Sequence, residues 1–162
     1  MAATAIAASV RFTARGLTKC YWCSAIANRA APTRAELNAG TDLSSQLADA
    51  SGWSVSSEQI ATPDLATRYT ATIPGGITAE DSSITLYMSK DGVDGRTLMA
   101  RDAVGYVVWL DGGDTVSYKA DVYPVTVSSV SKQRSVQGSE ADTIVFSYAI
   151  TAQPSENVTV PA

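Results

Sequence analysis

At 162 residues the chain has the size of one domain, large enough to bury about 70% of the surface that its unfolded form exposes. It carries no histidine, two cysteines and a net charge of −4, with 45% hydrophobic and 17% charged residues. That balance excludes a disordered chain, a disulfide framework and histidine-based acid–base or metal chemistry, and no run approaches the roughly 18 apolar residues of a membrane span.

What it does contain is 36 Ser and Thr interleaved with Val, Ile and Tyr, the mixture of antiparallel sheets with one apolar and one hydroxyl-bearing face. The chain reads as building material rather than as an enzyme. Its charge is unevenly spread. Met1 to Ala35 holds five basic residues (Arg11, Arg15, Lys19, Arg29, Arg34) and no acid, while the rest holds seven basic residues and all 16 acids. A contact between a basic arm of one subunit and the acidic body of another would use that split; an ordinary solvated surface is the plainer reading.

In chain order, Ala2–Val10 is Ala-rich, and the acid-free start resembles an organelle transit peptide; a secretory signal would place its positive charge earlier than Arg11. Cys20-Tyr21-Trp22-Cys23 lacks the further ligands of a zinc site and the helix context of a redox dithiol. Flanking aromatics make it a strand, in which positions three apart point to opposite faces, so two buried free thiols are expected. Pro32-Thr33-Arg34-Ala35-Glu36 opens a short helix with Thr33 as N-cap and Glu36 as its capping-box partner, stopped by Gly40. Ser54–Glu58 and Thr67–Ile73 form a Ser/Thr-rich pair of strands with few large apolar residues, a hairpin expected to project from the core.

Beyond it, Ile84, Leu86 and Met88 share a face opposite Ser83, Thr85, Tyr87 and Ser89. A second short helix is predicted through Asp94–Met99. Val104–Leu110 is apolar almost throughout, as in a strand covered on both sides. Val116, Tyr118, Ala120 and Val122 are expected on one face of the next strand, with Pro124 at an edge or bend. The phase slips within Val125–Val130, which predicts a bulge. Ile144, Phe146, Tyr148 and Ile150 form the bulky face of the last long strand. Pro74-Gly75-Gly76, Lys90-Asp91-Gly92 and Asp111-Gly112-Gly113-Asp114 read as turns. The sum is a mainly β chain, an antiparallel β-sandwich or barrel with a short flanking helix, in a single domain over residues 1–162.

Chemical motifs are sparse. Glu80-Asp81, Asp91/Asp94 and Asp111/Asp114 are the acidic clusters. Paired carboxylates serve glycoside hydrolysis, and a hydrolase at Glu80 and Asp81 or a weak calcium site at Asp91–Asp94 are the readings weighed against simple turns. Turns are favoured. No glycine loop precedes a helix to cradle phosphate, and the basic start lacks the aromatic interleaving of a nucleic-acid reader. Asn157-Val158-Thr159 matches a glycosylation sequon, a short pattern that arises often by chance. No catalytic, cofactor-binding or metal-ligating residue is assigned, and no cofactor is expected.

An ordered series of short motifs is more telling. Ala31-Pro32-Thr33-Arg34-Ala35-Glu36-Leu37-Asn38-Ala39-Gly40-Thr41-Asp42-Leu43 is followed by Ser51-Gly52-Trp53-Ser54-Val55, Ile60-Ala61-Thr62-Pro63-Asp64-Leu65, Ile73-Pro74-Gly75 and Glu80-Asp81-Ser82-Ser83. Then come Gly105-Tyr106-Val107-Val108-Trp109, Asp121-Val122-Tyr123-Pro124-Val125 and Ala149-Ile150-Thr151-Ala152-Gln153-Pro154-Ser155-Glu156-Asn157-Val158. In order and spacing, over roughly residues 30–160, this resembles the major tail tube protein of long-tailed bacteriophages, of the kind found in phages of actinobacteria.

The resemblance implies a β-sandwich whose sheets join between six subunits into a ring-shaped barrel. Rings would stack into a hollow virion tube that passes genomic DNA, with terminator, distal tail and tape measure proteins as further partners. At −4 per chain, six copies carry −24, and a like-charged or cation-poor wall would let a polyanion slide. The Ser/Thr-rich face of a sheet is expected to line it. Expected stacking elements are the N-terminal arm with the first strands (residues 1–30), the hairpin (residues 53–74) and the C-terminal tail (residues 154–162). The rivals are the inner tube of a contractile tail or injection machine and an extracellular Ig-like adhesion or carbohydrate-binding module.

Overall fold

The computed structural model describes residues 3–138 and 140–162. Ten strands and one α-helix run in the order β1 (Lys19–Cys23), α1 (Arg34–Asn38), β2 (Thr41–Asp42), β3 (Leu47–Ser51), β4 (Val55–Thr62), β5 (Ala71–Ala79), β6 (Ser82–Tyr87), β7 (Val104–Leu110), β8 (Lys119–Gln133), β9 (Thr143–Ile150) and β10 (Ser155–Thr159). Eight strands make one sheet in the order β2-β1-β7-β8-β9-β6-β3, with β10 also on β8, and β4-β5 form a separate two-stranded sheet. Every pairing is antiparallel.

The 15-residue β8 makes one sheet into two layers. Its first half pairs with β7 and β10, its second half with β9, and the register slips between Val127 and Ser129 where the phase break predicts a bulge. A bulge sharpens local twist and bends the strand. The layer β8-β9-β6-β3 therefore lies over the layer β2-β1-β7-β8. Between them sit Cys20, Trp22, Ile84, Leu86, Val107, Val125, Val127, Ile144 and Phe146, all buried. A second core lies on the outer side of the first layer, where α1, β10 and the C-terminal residues cover Cys23, Val108, Leu110 and Val122 with Leu37, Val158 and Val160.

β7 is thus covered on both sides, as its unbroken apolar run requires. Cys20 and Cys23 behave as their spacing predicts: both are free and buried, one in each core. Gly105 admits the Trp22 ring, since a Cβ there would stand 2.5 Å from Trp22 Cζ2. In α1 the Glu36 amide donates to Thr33 Oγ1, and Glu36 Oε2 accepts from the Thr33 amide at 2.7 Å. Glu36 Oε1 also takes the Ala27 amide, so the capping box holds the incoming loop as well.

Several sequence expectations are corrected. Pro124 does not mark an edge strand, because it lies buried inside β8, opposite Tyr106 of β7. On its other side β10 pairs with β8 up to Val122 and β9 begins at Val125, so the missing donor falls in the gap between two partner strands. The Pro124 carbonyl there accepts from Thr151, in the chain that links them. Pro74-Gly75-Gly76 is not a turn: the segment lies within β5, and the register shift between Ser57 and Gln59 makes it a bulge. Strands β4 and β5 accordingly run further than the alternation indicates, to Thr62 and Ala79. The second helix shortens to a 3-10 turn over Gly95–Thr97 capped by Asp94. Val116 and Tyr118 precede β8 and are exposed, Ser117 between them having φ +71°.

Candidate assembly surfaces

The outer face of the second layer is a hydroxyl surface. Across β3, β6, β9 and β8 the register aligns Asp49, Thr85, Val145 and Ser131 in one row and Ser51, Ser83, Ser147 and Ser129 in the next. Tyr87, Thr143 and Gln133 form a row on one flank, Ala149 and Thr126 on the other. These rows contain no lysine or arginine, and Asp49 is their one charge. Lys132 belongs to the opposite set, paired with Ile144. Ser51 and Ser83 share a 2.9 Å hydrogen bond, and Ser128 Oγ donates to the Ser147 carbonyl at 3.0 Å. Among the described residues no strand or helix covers this face, although residues 14–18 lie beside its Asp49 and Tyr87 corner, whereas α1 and β10 cover the outer side of the other layer.

This face also ends in open edges. β3 pairs only with β6, and among the described residues the side of β8 away from β9 has no strand partner beyond Thr126. Open edges carry rows of unsatisfied amides and carbonyls that invite another strand.

Two segments leave the body. The hairpin β4–β5 departs where β3 turns at Gly52 (φ +89°) and Trp53 (φ +35°), two successive left-handed residues that swing the chain out of the sheet. A side chain at Gly52 would also meet the Asp81 carbonyl, its Cβ at 2.3 Å. Trp53 roots the hairpin. Its indole N–H donates to the Ser83 carbonyl at 3.0 Å, its amide to Ser82 Oγ at 3.1 Å, and its ring packs on Trp109, Tyr123 and Tyr148. At the root Val55, Ile77 and Ala79 face Ile150 and Pro154, while Ile60, Leu65, Tyr69 and Ile73 further out are exposed. The other segment is the start of the chain. Thr18 Oγ1 donates to the Asp111 carbonyl at the far end of β7, and residues 3–17 are exposed.

The C-terminal segment is not free. β10 pairs with β8, and Val158 and Val160 are buried. Arg34 clamps it: its guanidinium bridges both oxygens of Asp114, at 2.7 and 2.9 Å, and donates to the Pro161 carbonyl at 3.1 Å. Hydrogen bonding from Arg34 holds the Asp114 carboxyl below the usual carboxylate range. Tyr21, which also donates to Asp114, is pushed up to about 12, first by burial and then by that carboxylate.

The acidic clusters singled out in the sequence serve turns. Asp94 is buried, and although burial opposes it, hydrogen bonds from Arg96 and from the Ser89 and Arg96 amides keep its pKa low. Asp91 takes the Ser89 hydroxyl and the Val93 amide. Glu80 and Asp81 lie at the return of the hairpin, where the Glu80 carbonyl accepts from Ser82 Oγ. Among the described residues no group of three or more acidic or cysteine side chains is arranged to hold a metal, and no helix is long and apolar enough to cross a membrane.

A β-sandwich with an uncovered hydroxyl face, open edges on both flanks and two projecting segments is a structural subunit of the self-assembling class. The comparisons specify which. The phage tail tube protein family matches residues 6–162, and the chain belongs to that family: it is a structural component of the virion tail. The match reaches well before residue 30, into a segment whose motifs are indistinct to the eye. Among solved structures, a chain from the tail of an empty gene transfer agent particle, determined by helical refinement with C6 symmetry, shares the fold. The two are 12% identical, with a TM-score of 0.51 over 86% of this chain and 93% of that one. Comparison with curated proteins gives no match.

Proposed function

We propose that six copies close into a ring by pairing β3 of one subunit with the free edge of β8, around Ser129–Gln133, of the next, with the hydroxyl face turned inward. Four strands per subunit make 24, and at about 4.8 Å per strand the wall is at least roughly 115 Å around and about 37 Å across at backbone level, wider once the strands tilt. That leaves room for a hydrated duplex once inward side chains are subtracted. A wall of hydroxyls, with one carboxylate per subunit and no cations, offers phosphate nothing to bind, so the tube acts as a passive conduit for DNA. Rings stack by translation along the axis through the hairpin and the arm. The buried C-terminal segment instead braces the outer wall. Terminator, distal tail and tape measure proteins are the partners expected at the tube's ends and interior.

The observation that carries this reading is the uncovered, cation-free sheet face flanked by two open edges. The sixfold symmetry of the gene transfer agent tail supports the ring. Electron microscopy of tubes or tails containing the protein tests it. Sixfold averages should show sheet density running unbroken between subunits around a hollow centre. Subunits separated by gaps, or a pore lined by α1 and β10, would refute it.

A further inference from the structure

Residues 3–13 have the pattern of a strand but no strand partner. Ile6, Ala8, Val10 and Phe12 alternate with Ala5, Ala7, Ser9 and Arg11, the period of two that belongs to a half-buried strand. In the single chain Ile6 is 98% and Val10 94% exposed, and among the described residues no backbone group from 3 to 13 is hydrogen-bonded. The hairpin has the complementary deficit. Two strands alone are marginal in water, and a third is needed for an independently stable sheet. Between Ser56 and Ala79 only Gly75 is even half-buried.

We propose that the arm of one copy adds as a third strand to the β4 edge of a copy in the adjacent ring, an inference that rests on the ring-stacking reading above. β4 is the competent edge. β5 contains Pro74, which has no amide to donate, and the bulge at Gly75-Gly76, two features that blunt an edge, whereas Val55–Thr62 contains neither. Length agrees: eight residues of β4 span about 26 Å, and eleven of the arm span about 36 Å, leaving a few to cross between rings. Charge agrees as well. The arm brings Arg11 and Arg15 and no acid, and the hairpin with its return carries Glu58, Asp64, Glu80 and Asp81 against Arg68. Stacking of rings along the tube axis brings one copy's arm to the next copy's hairpin. Backbone pairing supplies the attraction, and Ile6, Val10 and Phe12 lose the exposure they have in the free chain.

The test is disulfide trapping in assembled tubes, combining Val10→Cys with Ser56→Cys, Glu58→Cys or Ile60→Cys in turn. The native thiols are buried and do not compete. Mild oxidation should give, for at least one pair, a non-reducing ladder that continues past six subunits, because each copy is linked to one above and one below. A ladder that stops at six, a cross-linked monomer, or tubes of normal appearance with no cross-link at any position would overturn the proposal. A chain lacking residues 3–13 provides the second measurement: it should form sixfold rings that do not stack, and normal tubes would overturn the arm's role. Wild-type protein that forms no sixfold rings would instead overturn the ring reading. The two failures are therefore distinct.

Discussion

The Tyr123 hydroxyl donates a 2.8 Å hydrogen bond to the main-chain carbonyl of Trp53, and the two rings meet edge-on with centroids 5.2 Å apart. One residue belongs to the long strand shared by both layers, the other to the root of the projecting hairpin. The pair therefore fixes the direction in which the hairpin leaves the body. Tyr123→Phe should cost about 1–2 kcal/mol in urea unfolding, because the Trp53 carbonyl loses its partner in a half-buried site. Trp53→Ala should cost about 3–5 kcal/mol and abolish stacking, since it removes the ring that packs on Trp109, Tyr123 and Tyr148. Stacking that survives Trp53→Ala would separate hairpin direction from assembly.

Acid should loosen the clamp between α1 and the turn that ends β7. The Asp114 carboxyl is held below its ordinary value by Arg34, so the stability it contributes is fully present above the unfolded pKa of about 3.9 and is lost as pH falls through the folded value. Asp114→Asn should cost about 1–2 kcal/mol at pH 7 and progressively less toward pH 3. Asp111 shifts upward, through burial and then the charge of Asp121, so Asp111→Asn should raise stability at pH 7. Urea midpoints measured across this pH range check both signs.

A cation placed on the hydroxyl face should brake DNA. Ser147→Lys puts six ammonium groups per ring on the proposed lumen wall, in the row between Ser83 and Ser129. Tubes should still assemble, while DNA release slows and becomes salt-dependent, each phosphate contact steepening the salt response. An unchanged release rate at low salt would place this face elsewhere in the tube. Lys placed at Ser155, on the outer strand β10, is the control that should have no effect.

The thiols should be silent in the folded chain. Burial raises Cys20 strongly, and it pushes Cys23 up to about 11, with Glu36 adding to the effect. At pH 8 both remain neutral, and they face different cores, so no disulfide joins them. A thiol reagent should report no fast-reacting group before denaturation and two after it. A fast group in the native subunit would contradict the packing of β1.

Local features were legible because their causes are local. The Thr33–Glu36 capping box, the alternation of β6 and β9, and the double-sided burial of residues 107–110 follow from side chains a few residues apart, and the structure reproduces them, with Val104 at the strand's start left exposed. Pro74 and Pro124 misled for one reason. A proline excludes a hydrogen bond on one side of a strand, and whether a partner stands on that side depends on residues far along the chain. The bulge in β5 was hidden likewise, since Gly-Gly after Pro is turn chemistry until a partner strand fixes its register.

The amino-acid order by itself determined an antiparallel sandwich with hydroxyl and apolar faces, an acid-free start, and enough ordered motifs to mark the family, because composition and alternation are one-dimensional properties. Only the tertiary structure decided which hydroxyl face stays bare, which edges stay open and which segments stand clear of the body. Those follow from the fold of β8 across two layers and from the covering of one layer by α1 and β10, relations between segments that lie far apart in the chain and that no local pattern encodes.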